Sequence, residues 1–350
     1  MKNKDKNMNI RDIARIANVT PGTVSKVLNN YPDISEATRK KVIDVINEYQ
    51  YKPAFSTKTA QNFGKKPQIA LITEGVYNSL YTEMAECFSI RLHNGDYTTL
   101  SYHDNYYVQD KEEKFEELLS YADEHSLSGI VYIGGNFANI KKSLFDRLPC
   151  PTVFVNTVLP VSFETTNYSS VLCNHFETGY HQMERLILAG HKHIAMMISS
   201  LADNSVYGLR LNGYKSVLIE HDLSDQINHI VEGDYIFEKT YRNMKAFLEK
   251  HNEITAICCS ADIMAPAVIR AIYDIGKKPG QDIDIISFDG LDLMNYTYPS
   301  VTTFEQPKRE MVDAIYNLLL GLIDGSKTHQ HIVFQSKLVI RETCKLNRKK

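Results

Sequence analysis

No stretch of this chain approaches 18 uncharged apolar residues, and its N-terminus, MKNKDKNMNI, has no apolar core. Neither a membrane span nor an export signal is therefore expected. The six cysteines, Cys87, Cys150, Cys173, Cys258, Cys259 and Cys344, form no CxxC pair, and several sit in apolar runs such as AICCSA. Thiols in such runs pack as small hydrophobes, which fits a reducing compartment and a cytoplasmic location. GxSxG, HExxH and GxxxxGK[ST] are all absent, and FGKK lacks the glycine spacing of a phosphate loop. With no nucleophile to point to, no enzyme is expected. His191 and His193 in AGHKHI have the look of a metal pair, but they fall at a helix-to-strand connection with no cysteine nearby and read as solvated loop histidines. No metal and no cofactor is expected.

What is present is an uneven charge. Residues 1–66 hold 13 Lys and Arg against 6 Asp and Glu, whereas the remaining 284 hold 26 against 36. A basic head that touches polyanions and an acidic body that does not is the reading this asymmetry supports. At 350 residues, 43% of them hydrophobic, the chain is too long for one core and is expected to form several packed units.

In the head, Ile10, Ile13, Ala14 and Ala17 fall at i, i+3, i+4, i+7, the stripe of a short amphipathic helix with Asn9 placed to cap it. NVTP follows: Asn18 tolerates a left-handed turn, Thr20 accepts N–H bonds as an N-cap, and Pro21 suits the first helical position. The second helix buries Val24, Val27 and Leu28 and turns Gly22, Thr23, Ser25, Lys26 and Asn29 outward. A third, after Ser35, has Val42, Ile46 and Tyr49 as its buried stripe and Arg39, Lys40 and Lys41 exposed. Two short helices joined by a tight turn and backed by a third make a helix-turn-helix, whose second helix enters the DNA major groove.

From residue 68, short β-rich runs (QIALIT, YTTLSYH, GIVYIG, TVFVN, SVLCN, HIAMMIS, HIVEG, AICCSA, DIDIISFD, VTTFEQ, KLVIRE) alternate with helical stretches, several closed by Gly95, Gly190 and Gly276. This is the pattern of parallel sheets with crossover helices, and so many strands require two α/β lobes. In open α/β sheets a ligand sits beyond the carboxyl ends of the strands. Polar residues stand at those ends: Asn156, Asp234 with Tyr235, Asp262 and Asp289.

The segment NIRDIARIANVTPGTVSKVLNNYPDISEATRKKVIDVINEYQYKP resembles the DNA-binding headpiece of the lactose/galactose repressor family, and the likeness runs through nearly the whole chain. It implies an all-α helix-turn-helix headpiece (1–52), a hinge or linker (53–67), and a bilobal periplasmic-binding-protein-like effector and dimerisation domain with two parallel-sheet lobes (68–345). The first lobe is expected from about 68–172 and 293–330, the second from about 173–292 and 331–345. Carried onto this chain, the family's base-reading positions are Pro21, Gly22 and Lys26, while Asn9, Thr20, Thr23, Ser25 and Asn29 fall at or beside phosphate-contacting ones. Pro21 and Gly22 offer base edges almost no hydrogen bonds, so direct readout leans on Lys26. The family's minor-groove hinge leucine falls on Ala60, or on Gln61 with a one-residue shift; either Phe55 or Phe63 takes its place, or the segment is a plain linker.

For the effector, the resemblance implies that Arg210 and Asp289 hold ligand hydroxyls, Tyr235 stacks on the ligand, and Asn156 and Gln306 add contacts. Asp262 belongs to the family's xNDxMA motif, in which Ala261 here replaces the Asn. Tyr77, Asn78 and Tyr81 of TEGVYNSLY, where relatives have Asn-Pro-Phe-Phe, either line the same cleft or belong to the surface. A carboxylate and a guanidinium bridge neighbouring hydroxyls and an aromatic face packs on C–H groups, so a saccharide is favoured; an ordinary Arg210–Asp289 salt bridge is the alternative. The expected protein is a repressor, a homodimer because RETCKLNRKK carries no heptads, acting on a near-palindromic double-stranded operator under allosteric control by a sugar-like effector. A phosphoprotein corepressor docking on the body stays open; a transport solute-binding protein is excluded by the basic head.

Overall fold

The computed structural model describes residues 10–28, 34–49, 66–74, 79–93, 97–104, 110–160, 167–199, 206–233 and 235–344. Asn9, Asn29, Phe55, Ala60, Gln61, Phe63, Tyr77, Asn78, Gly95, Asp234 and the Ser25 side chain lie outside what is described. The chain divides into two compact units, 1–67 and 68–350.

The first unit holds α1 (Ile10–Ile16), α2 (Pro21–Leu28) and α3 (Glu36–Glu48). The turn between the first two follows from its residues: Asn18 adopts φ 51°, and Thr20 Oγ1 accepts the Thr23 N–H at 3.1 Å. Ser35 caps α3 in the same way, accepting from the Thr38 N–H at 3.3 Å. Ile13, Ala14, Ala17, Val24, Val27, Val42 and Ile46 form the core. Tyr49, expected on that buried stripe, is instead exposed, because α3 ends at Glu48, a residue before it.

In the second unit the first sheet contains β1 (Gln68–Glu74), β2 (Thr98–Asp104), β3 (Gly129–Ile133), β4 (Thr152–Val155), β5 (Ser169–Cys173) and β11 (His331–Phe334), in the order β11-β5-β4-β3-β1-β2. The second contains β6 (Ile194–Ile198), β7 (Ile230–Glu232), β8 (Ala256–Cys259), β9 (Asp284–Asp289), β10 (Thr302–Glu305) and β12 (Lys337–Val339), in the order β12-β10-β9-β8-β6-β7. Among the described strands every pairing is parallel except β10 with β12. Central strands such as β3 and β6 are buried throughout, as a parallel sheet covered by helices on both faces requires.

The helices of the first lobe are α4 (Ser79–His93), α5 (Lys111–Glu124), α6 (Lys142–Phe145) and α11 (Lys308–Ile323); those of the second are α7 (His175–Leu188), α8 (Val206–Glu220), α9 (Phe237–Leu248) and α10 (Ala265–Asp274). The chain therefore passes between lobes three times: between β5 and α7, between β10 and α11, and between β11 and β12. Sheet membership corrects the expected partition. β10 pairs with β9 in the second lobe rather than the first, and His331–Phe334, read as second-lobe sequence, pairs with β5 in the first.

Helices α7 and α8 lie in backbone contact, since a Cβ added at Gly179 would collide with the Arg210 backbone and one at Gly213 with the Phe176 carbonyl. Close approach of these two helices is what fixes Arg210. Gly179→Ala is expected to cost about 1–3 kcal/mol by overpacking; urea unfolding of the full chain measures it, and an unchanged midpoint would contradict the packing described.

Candidate functional site

On the headpiece, the exposed side of α2 carries Pro21, Gly22 and Lys26, with Thr20 exposed before it and Thr23 half-buried beside it. The Thr20 and Thr23 hydroxyls lie 2.9 Å apart and close the helix start. Gly22 is unexplained by packing, because an added Cβ would meet nothing nearer than Thr20 Oγ1 at 3.7 Å. Glycine inside a helix costs about 1 kcal/mol relative to alanine. A residue that weakens its helix without a packing reason suits a surface that another backbone must approach closely.

On the body, side chains at the carboxyl ends of strands meet in one buried circuit. Asn156 follows β4 at φ 46°, and Asp289 ends β9 at φ 125°, both in the left-handed region that side chains other than glycine's seldom adopt. Gln306 follows β10, and Arg210 projects from α8. Gln306 Nε2 donates to Asp289 Oδ1 at 3.0 Å, and Asn156 Nδ2 donates to Gln306 Oε1 at 2.9 Å. Asn156 Oδ1 accepts from the Cys173 N–H at 3.0 Å and from His175 Nε2 at 3.1 Å. Arg210 Nη1 then donates to His175 Nδ1 at 2.7 Å.

The partners fix the orientation of each group. Because Asn156 Oδ1 only accepts, His175 carries its proton on Nε2 and offers the Nδ1 lone pair to Arg210. Burial, and after it the Arg210 charge, hold the His175 pKa well below its usual range, so the ring stays neutral.

Arg210 is only 1% exposed. Its Cζ lies 4.3 Å over the Tyr207 ring and 4.6 Å over Phe288, and among the described residues Nε has no hydrogen-bond partner. Among the described residues no carboxylate comes within 4.0 Å of it, so the Arg210–Asp289 salt bridge entertained above does not form. Burial pushes the Asp289 carboxyl up to about 7, with the nearby Arg210 pulling the other way.

The other nominated residues have distinct places. Asp262, pushed up to about 6 by burial, accepts from Thr303 Oγ1 at 2.7 Å and the Leu291 N–H at 2.8 Å, tying β10 to the turn after Asp289. Tyr235 is half-buried and meets Tyr207 edge-on at 5.7 Å. Tyr81 is buried in the first lobe's core, where a Cβ on Gly134 would come within 2.7 Å of its ring.

Sequence reasoning did not single out His175, Tyr207 or Glu74. Glu74 ends β1, buried, with Lys114 Nζ 2.6 Å away and Lys111 Nζ at 3.7 Å. A polar residue at the end of a strand was the available signal for Glu74; nothing local distinguishes His175 from an ordinary helix-start residue. His191, read as solvated, is buried, with Nδ1 2.9 Å from Thr255 Oγ1 and Nε2 3.1 Å from Asp284 Oδ2; His193 is exposed.

The neutral His175 gives a signed pH effect. An unfolded histidine binds a proton near pH 6.5, which the buried ring resists, so its contribution is present above that pH and is lost as pH falls through it. His175→Gln can keep both hydrogen bonds without titrating. The native chain is therefore expected to lose stability relative to this variant below about pH 6.5; parallel pH profiles from denaturant unfolding would contradict the assignment.

Known proteins carry the same two parts. Residues 9–54 match the family "Bacterial regulatory proteins, lacI family", and 183–344 match the periplasmic binding protein-like domain. The chain is 32% identical to the HTH-type transcriptional regulator MalR of Clostridium butyricum, covering 96% of this chain and 99% of that protein. It is 29% identical to catabolite control protein A of Priestia megaterium, over 93% of this chain and 96% of that one. Its fold resembles a lac repressor dimer bound to operator and the anti-inducer ONPF (TM-score 0.70, 22% identity, 97% and 99% covered). A complex of the transcriptional regulator CelR with cellobiose is also similar (TM-score 0.68, 21% identity, 96% and 99% covered). This chain belongs to the lacI family of bacterial regulatory proteins, and it is a DNA-binding transcription regulator, not an enzyme.

Proposed function

We propose that the protein is a homodimeric repressor whose hold on a near-palindromic operator is set by a saccharide or related polyol bound against Arg210 and Asp289. The observation that carries this reading is the buried circuit: a guanidinium and a carboxylate, both desolvated and neither paired with the other, held open by neutral amides and an imidazole. Vicinal hydroxyls bridge such a pair, donating to the carboxylate and accepting from the guanidinium. Tyr235 supplies the adjacent aromatic face for C–H groups. The division of labour is a headpiece over 1–52, a linker over 53–67 and an effector and dimerisation body over 68–345. The ligand acts by preferring one arrangement of the lobes, without which it would shift nothing.

On DNA, Lys26 reads a base edge while Thr20, Thr23, Ser25, Asn9 and Asn29 meet phosphates, and Pro21 and Gly22 let the helix approach closely. A cytoplasmic location suits this role, and among the described residues no helix is long and apolar enough to cross a membrane. A second reading, a phosphoprotein corepressor, has an exposed basic pair in its favour: Arg309 and Lys337 line a groove of about 470 Å³. Lys308 in the same groove is taken up by Glu83 at 2.8 Å, and Asp292, Glu305 and Glu310 line it and repel phosphate, so the small-molecule reading is preferred.

Effector affinity should rise with pH through about 7, since hydroxyl donors bind the ionised Asp289. Calorimetric titration with a sugar panel across that range tests this; Asp289→Asn should abolish both binding and pH dependence. A response to phosphoprotein but to no sugar would favour the second reading.

Lys26→Ala should cost about 1–3 kcal/mol at the cognate base and relax discrimination there. Gly22→Ala should weaken operator binding while leaving the headpiece at least as stable. The log–log salt slope should reach at least about four per dimer. Operator titrations at several salt concentrations measure all three, and a shallow slope would contradict a phosphate-dominated interface.

A further inference from the structure

Three neighbouring strands of the second sheet, in the order β8-β6-β7, begin along the edge opposite to the one carrying Tyr235, Asp262 and Asp289. His229 immediately precedes β7, and His251 and Glu253 lie in the connection between α9 and β8. One ring nitrogen of each histidine and a carboxylate oxygen of Glu253 lie within 4.8 Å of one another.

We propose that His229, His251 and Glu253 form a binding site for a borderline divalent transition-metal ion, with zinc(II) as the representative that fits best. Two imidazoles and one carboxylate are a donor set zinc takes with a fourth position left to water, and imidazole selects zinc, copper or nickel over magnesium and calcium.

The ligands are already positioned. The His229 N–H donates to the Gln226 carbonyl at 3.0 Å, and its own carbonyl accepts from Met196 N at 2.8 Å. Its Nδ1 is sealed from solvent and, among the described residues, has no hydrogen-bond partner. Such a buried nitrogen is costly unless something engages it. The His251 ring stacks on Phe247 at 4.2 Å with 22° between planes, and its backbone N–H donates to the Phe247 carbonyl at 3.0 Å. Glu253 Oε1 stands 3.0 Å from His251 Nδ1. The His251 and Glu253 side chains are 35% and 44% exposed, which gives an ion a route in from solvent.

This site lies away from the Arg210–Asp289 circuit and depends on none of the proposal made for it. A bound ion would tie the start of β7 to the connection before β8 and stabilise the second lobe by mass action.

The test is calorimetric titration of the untagged, chelator-stripped full chain with zinc chloride, with thermal melts alongside. One saturable site and a raised melting temperature are expected, with no such shift from magnesium chloride. Glu253→Gln and His251→Ala should each weaken zinc binding at least about 10-fold while each still melts cooperatively in chelator. No saturable zinc binding would overturn the proposal, as would equal affinity and stoichiometry in both variants, which would place the ion among the other histidines.

Discussion

A guanidinium buried to 1% exposure, with no ion-paired carboxylate among the described residues, is the constraint from which the body's central architecture follows. Desolvating such a charge costs several kcal/mol unless its surroundings compensate. Compensation here is directional. Arg210 needs an acceptor, so His175 must present a lone pair; His175 must then donate through Nε2, so Asn156 must turn its oxygen inward. Its amide nitrogen in turn donates to Gln306, which donates to Asp289. The polarity runs in one sense from cation to anion, and reversing one group would leave a donor facing a donor. The faces of Tyr207 and Phe288 complete the enclosure.

The circuit also runs through the places where the lobes join. His175 opens the segment after the first crossing and Gln306 lies within the second, while Asn156 belongs to the first lobe and Arg210 and Asp289 to the second. The third crossing is laced to the first by the Asn174 N–H donating to the Phe334 carbonyl at 2.8 Å and by the Thr178 and Ser336 hydroxyls, 2.8 Å apart. A ligand that engages Arg210 or Asp289 therefore perturbs groups whose geometry depends on how the lobes meet. A ligand shifts how the lobes meet only if its affinity differs between two arrangements of them.

Much of this was legible in the sequence because local chemistry decided it. Asn18, Thr20 and Pro21 permit few conformations other than a turn opening a helix, and apolar runs such as IAMMI are buried strands. The family resemblance places Asn156, Arg210, Asp289 and Gln306 at one effector cleft, yet the circuit joining them was not legible, because His175 carries no local signal and the Asn156–Gln306 bond joins residues 150 apart. The strand His331–Phe334 escaped notice because it lies at a sheet edge with alternating exposure and gives no continuous apolar signal. The lobe partition failed at β10 and β11 for a related reason: which sheet a strand joins depends on long-range pairing, not on its own residues. His191 was misread because its partners, Thr255 and Asp284, are distant in sequence.

The central claim is that Asn156 of the first lobe and Asp289 of the second are energetically coupled through Gln306. A double-mutant cycle on unfolding free energy measures this directly, using Asn156→Gly, which suits the left-handed backbone there, and Asp289→Asn. The account predicts a coupling energy of about 0.5–3 kcal/mol. Additivity within about 0.3 kcal/mol would contradict it.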